Sequence, residues 1–292
     1  MKKLLIRIAL LILLFLIPQI AIAQLWRPVR GGILFGISGM VLVNQQNDSR
    51  SFLVVHDNKG KNPDRLAIVT VTGKEAPQYF PVNWLANAEL PSDLEALTAV
   101  PSTSDFMVLA SAGTAYHIRL DAVKKTVSVL KVFDLPNIPK GSNFESFALQ
   151  NIDGKLLAVW AHRGEGIDPA VIYWGVLDLA TYQIVQQGSA ILKVPFPTGN
   201  VRHISDLKID SAGVVFITSA TDNGDDGPFD SVVYVAGSFS INGKFQFRQS
   251  LTPIFHLPYH KIEAIELLPG KTGGLALGTD DENMGASIYM DW

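Results

Sequence analysis

A chain of 292 residues with a net charge of −3 and 17% charged side chains can bury a large core and has no basic excess. That balance excludes a surface built to neutralise nucleic-acid phosphates. The chain contains no cysteine, so disulfides, thiol chemistry and cysteine-linked lipids are excluded as well.

The chain begins MKKLLIRIALLILLFLIPQIAIAQ. Lys2, Lys3 and Arg7 give a positive start, Leu4 to Ile17 form an apolar run, Pro18 breaks it, and Ala21-Ile22-Ala23 is a small-x-small cleavage signature. Residues 1–23 are expected to be a secretory signal peptide and 24–292 the mature domain, exported to the periplasm or the medium. The apolar run is shorter than the roughly 20 residues a membrane span needs. No span is expected after cleavage.

From here the chain repeats. Ile37-Ser38-Gly39-Met40, Leu94-Glu95-Ala96-Leu97, Phe144-Glu145-Ser146-Phe147, Ile204-Ser205-Asp206-Leu207 and Ile262-Glu263-Ala264-Ile265 share one order of apolar and polar positions, with starts separated by 57, 50, 60 and 58 residues. That spacing is the scale of a propeller blade. Each run is followed by a second strand (SFLVVHD, DFMVLASA, KLLAVWAH, VVFITSATD, GLALGTDD) and a third (RLAIVTV, TAYHIRLD, VIYWGVLDL, SVVYVAG, SIYMDW). The first four repeats add a fourth: QYFPVNW, TVSVLKVFDL, QIVQQGSAIL and FQFRQSLTPIF. These segments are rich in Val, Ile, Phe and Tyr between turn residues, as strands are. The expected fold is all-β, a five-bladed β-propeller forming one domain. A sixth blade would require strands hidden in a long connection, and a β-sandwich gives no reason for a fivefold repeat. The fifth repeat ends one strand short, so Leu25 to Val29 is expected to pair beside Ser287 to Trp292 and close the ring. Pro28 is tolerable there because the outermost strand is an edge.

The carboxylates at Glu95, Glu145 and Glu263 share one register on strands that should line the central tunnel. An unpaired charge there is costly, so each glutamate could accept backbone N–H bonds and staple the ring, while their convergence as a cluster points to a site. Ser38 and Ser205 hold the same position in the other two blades, with Asp206 beside Ser205. Strand ends on the same face carry His56, Asp57, His162, Arg163, Asp222 and Asp280. Residues just before first strands add Asp93, Arg202, His203, His260 and Lys261. His117 and His256 lie elsewhere. The candidate catalytic residues are Glu95, Glu145, His162, Arg163 and His203. Candidate ligand contacts are Ser38, His56, Asp57, Ser205 and His260. Glu95, Glu145, Asp206, Asp222, Glu263 and Asp280 are candidate ligands for Ca²⁺, which takes oxygen donors. Arg163, Arg202 and Lys261 could instead balance the acidic charge, and then no metal is needed.

The apolar-Glu-small-apolar strand, followed by a turn and a strand such as GKLLAVWAHRGEG, resembles the esterase-like or phytase-like propellers of secreted bacterial proteins over nearly the whole mature chain. The five-blade count and the form HKIEAIELLPG also resemble calcium-activated nucleotidases. Ser38 and Ser205 depart from the pattern, which often has Glu there. Three readings follow: a metal-assisted phosphoester hydrolase, a non-catalytic propeller holding a small ligand or protein partner, and a glycosidase using Glu95 with Glu145. The first requires bound metal and phosphoester turnover, and the second predicts neither.

Overall fold

The computed structural model describes residues 26–290 apart from 62, 242, 249, 271 and 272. The leader expected over residues 1–23 lies outside them. Among the described residues no helix is long and apolar enough to cross a membrane.

Strand β1 (Trp26–Arg30) opens the chain. Blade one follows as β2 (Gly39–Gln46), β3 (Ser49–Val55), β4 (Leu66–Thr72) and β5 (Gln78–Trp84). Blade two is β6 (Leu94–Ala99), β7 (Asp105–Ala110), β8 (Thr114–Asp121) and β9 (Thr126–Asp134). Blade three is β10 (Phe144–Ile152), β11 (Lys155–His162), β12 (Ala170–Asp178) and β13 (Gln183–Leu192). Blade four is β14 (Val201–Ile209), β15 (Val214–Thr221) and β16 (Asp230–Phe239), with its outer edge split into β17 (Phe245–Phe247) and β18 (Pro253–Pro258), which both pair with β16. The sequence pattern reads that edge as one strand, FQFRQSLTPIF. Blade five is β19 (Ile262–Leu267), β20 (Leu275–Thr279) and β21 (Ala286–Met290), with β1 as its fourth strand.

The five inner strands contact one another in cyclic order, β2 to β6, β10, β14, β19 and back to β2. Alternating side chains on each strand serve two blade faces, so there is no single core. Five apolar layers lie between successive blades instead. Leu53, Leu97 and Val108 fill one layer, Phe144, Phe147 and Trp160 the next, and Ile172, Ile204 and Ile217 a third. Val233, Ile265 and Leu277 fill the fourth, and Met40, Phe52 and Ala264 close the circle. Outer strands β5 and β9 also pair in parallel through Asn83–Thr126 and Trp84–Val127.

Closure follows the sequence expectation, displaced by one residue. β1 pairs antiparallel with β21, Trp26 opposite Tyr289 and Pro28 opposite Ser287. Trp26 stacks on His260 at 4.1 Å between ring centroids. Deleting residues 26–30 removes this strand and exposes the edge of β21. The expected result is a melting temperature lower by ~10 °C or more, at about 2–4 °C per kcal/mol for a chain of this size. Thermal unfolding of the deletion protein at the parent's temperature would show that β1 does not close the ring.

Candidate functional site

A β-bulge explains how a carboxylate occupies the middle of an inner strand. The pairing register slips between Leu94 and Ala96, between Phe144 and Ser146, and between Ile262 and Ala264. The residue inside each slip is Glu95, Glu145 or Glu263. A bulge leaves its extra residue out of the ladder and re-aims that side chain. In blade four the slip is longer, from Arg202 to Asp206.

Glu145 and Glu263 are buried and ion-paired. Arg163 Nη1 donates to Glu145 at 3.2 Å. Arg202 donates through Nη1 to Glu263, lies 3.7 Å from Glu145, and holds Asp222 through Nη2 at 2.9 Å. Lys261 sits 3.1 Å from Glu263 and 3.8 Å from Asp280, and donates to Glu282. Burial disfavours the charge on Arg202, but the carboxylates of Glu263, Glu145 and Asp222 outweigh it and hold the guanidinium more firmly charged than usual. Burial raises Glu145 above the ordinary carboxyl range, and Arg202 offsets part of that rise. Asp280 is likewise raised by burial and by Glu263, against the pull of Lys261. A Cβ on Gly36 would overlap the Asp280 carboxylate, so this close approach of the blade-one entry loop requires glycine.

Glu95 differs from its two counterparts. It is only 6% exposed, and no cation is within bonding reach among the described residues. Burial, then Glu145, Glu263, Asp57 and Asp93, push its carboxyl well above the ordinary range. Asp57, at the end of β3, is pushed up to about 6 by burial, then by Glu263 and Asp93. Asp93 pairs with Lys59 at 3.1 Å and accepts from the Ser111 hydroxyl. One oxygen from each of Asp57, Asp93 and Glu95 lies within 4.8 Å of the others. The site therefore has two parts: a paired, charged half around Arg202 and an acidic half around Glu95.

Other sequence-predicted residues lie near this mouth but hold the scaffold. His56 bonds Gly36 O at 2.5 Å and Tyr79 OH at 3.0 Å, and burial lowers its pKa. His203 is fully buried, with Nε2 at 3.1 Å from Gly166 O and burial again lowering its pKa. His162 Nδ1 meets the Asn143 backbone at 3.0 Å, and His260 meets Asp281 at 2.8 Å. None of these bonds reaches Glu95, Glu145 or Glu263. Ser205 donates to Ile262 O at 2.7 Å and ties blade four to blade five. The Ser38 hydroxyl is buried without a hydrogen-bond partner. Asp206 accepts from the backbone N–H groups of Leu207 at 2.7 Å and Ile265 at 2.9 Å, so it is a staple between blades and does not join the carboxylates at the mouth. Sequence reasoning named Arg202 and Lys261 as countercharges. Asp93, placed on this mouth by its position directly before β6 but not among the candidate metal ligands, joins Asp57 and Glu95 in the innermost acidic group.

No protein-family model and no curated protein sequence matches this chain. Solved structures of similar fold include a GH43 endo-arabinanase from Bacillus licheniformis, at 10% identity and a TM-score of 0.50 over 91% of this chain and 96% of that one. An exo-1,5-α-L-arabinanase from a bovine ruminal metagenomic library matches at 7% identity and 0.51 over 90% and 95%. A thermostable family-43 glycoside hydrolase matches at 10% and 0.50 over 91% and 92%. At such identities the likeness carries the fold alone. The resemblance to phytase-like and nucleotidase propellers does not hold, because the fold neighbours are glycoside hydrolases. In three blades the motif behind it coincides with a bulge of the inner strand.

Arg202→Met should cost about 3–5 kcal/mol, because it leaves buried carboxylates without their cation. Adding Glu263→Gln should recover part of that loss. Urea unfolding of the single and double variants measures both, and a single-variant loss below about 1 kcal/mol, the scale of an exposed ion pair, would show that Arg202 does not neutralise the ring.

Proposed function

We propose that the tunnel mouth is a hydrolytic centre acting on a glycosidic bond, with Glu95 as proton donor and Asp57 as its ionised partner. The observation that carries this reading is the contrast between two neighbouring carboxyl groups. Glu95 is buried without a cation, which raises its carboxyl well above the ordinary range, while that of Asp57 is raised only to about 6. Environments that push two carboxyl groups apart in this way suit an acid and a base. Glycoside hydrolysis needs that pair: one group protonates the leaving oxygen, and the other attacks the anomeric carbon or activates water. Asp93, tied to Lys59 and Ser111, positions the pair. Arg202 and Arg163 pair with Glu145 and Glu263, which leaves Glu95 as the glutamate of the ring without a cation.

The fold neighbours support the glycosidic choice over the phosphoester one, since the arabinanases among them act on sugar polymers by name. Export to the periplasm or the medium, as the leader predicts, would place the site where polysaccharide fragments occur. A second reading has one observation in its favour. The close approach of Asp57, Asp93 and Glu95 also suits a Ca²⁺ ion. A bound cation would hold Glu95 ionised and remove the proton donor, leaving a binding propeller for a small molecule or protein partner.

A panel of aryl glycosides and arabinan oligosaccharides, assayed with calcium and with chelator, distinguishes the two. The hydrolytic reading predicts turnover in chelator. The rate should rise with pH through about 6 as Asp57 ionises, then fall as Glu95 loses its proton. Glu95→Gln should lower kcat by roughly 10²–10⁴-fold. No turnover, together with a calcium-dependent rise in melting temperature that Glu95→Gln abolishes, favours the cation.

A further inference from the structure

The opposite end of the tunnel holds a second charged group that the mouth does not use. Lys208 on β14 is 7% exposed at its side chain. Its Nζ donates to Leu97 O at 2.6 Å and lies 3.9 Å from Asp206. Blade four thereby reaches blade two, which is not its neighbour in the ring. Beside Lys208 a cavity of about 410 Å³ is lined by Val41, Thr98, Leu149, Gln150, Lys208 and Glu266, among others. That volume lies within the range of small-molecule sites.

The charges in this cavity do not balance. Both Asp206 oxygens are taken by backbone N–H groups. Asp210, on the rim, accepts through Oδ1 from the N–H groups of Ala212 and Val214 at 2.9 and 2.8 Å. Glu266 accepts from the backbone N–H of Leu42, and its carboxyl keeps further acceptor capacity toward the cavity. Lys208 is the only cation among the described lining residues; it lies nearest Asp206 and acts on Glu266 only through space. Burial, opposed by Lys208, pushes each of those carboxyls up to about 7, the response expected where positive charge is short.

We propose that this far-end cavity binds a small organic cation, a primary amine with a short apolar body, whose ammonium sits against Glu266. An amine supplies both the missing charge and the missing donors. The apolar walls at Val41, Leu149 and Leu267 accept the body. A carboxylate ligand would meet Glu266 and Asp210 with like charge. A metal ion would find too few oxygen ligands, since Glu266 and one Asp210 oxygen are the open carboxylate acceptors among the described lining residues.

Binding of n-butylamine to the purified protein, followed by NMR, tests this directly, with 1-butanol and butyrate as its neutral and anionic counterparts. The expected result is a saturable shift at Thr98 and Gln150 for the amine alone at millimolar concentrations. Glu266→Gln should weaken it about tenfold, the change expected when a charge-assisted bond becomes neutral, while melting like the parent. Ala99→Phe, at the exposed rim, should also weaken it by filling the cavity and serves if Glu266→Gln does not fold. Equal binding of butanol, unchanged affinity in both variants, or no saturation by the amine overturns the proposal.

Discussion

Arg202 determines how the charges of this propeller can be arranged. Its guanidinium is nearly buried and reaches carboxylates from three blades: Glu145, Asp222 and Glu263. A buried charge is tolerated only with a partner, and a planar guanidinium with several donors can serve several carboxylates at once. Lys261 and Arg163 complete the same half of the tunnel. Without these cations, bulged glutamates on three inner strands would repel one another and their burial would oppose ring closure. With them, the ring tolerates an ionic centre between apolar inter-blade layers.

The same allocation leaves Glu95 without a cation. The three cations sit toward blades three, four and five, while Glu95 enters from blade two. Lys59, the nearest base on that side, is committed to Asp93. Burial therefore raises the Glu95 carboxyl well above the ordinary range. Chemical asymmetry within a fivefold architecture thus follows from where arginine and lysine fall in the repeat, rather than from any one unusual side chain.

Much of this was legible in the sequence. Repetition of an apolar-Glu-small-apolar strand exposed both the blades and the ring of glutamates, because inner strands are the one place where a recurring carboxylate is costly. A last repeat one strand short announced β1. Hydrogen-bond commitments were not legible. His56 reads like a site residue at a strand end, but its two nitrogens are taken by Gly36 O and Tyr79 OH. Asp206 aligns within one position of the glutamates, yet the longer register slip in blade four places Arg202 among the carboxylates and turns Asp206 toward backbone N–H groups. The break in the blade-four edge strand was hidden because FQFRQSLTPIF keeps strand-like composition across it.

With no cation beside it, Glu95 should keep its proton near neutrality while Glu145 and Glu263 are held by cations. Carbon-13 NMR titration of the glutamate side-chain carboxyls, with Glu95 assigned by its absence in Glu95→Gln, measures this without reference to any substrate. The account predicts a Glu95 signal still in the acid form at neutral pH, with a midpoint well above that of an exposed glutamate. A Glu95 signal that titrates with the exposed glutamates, near the ordinary value of about 4.3, would contradict it.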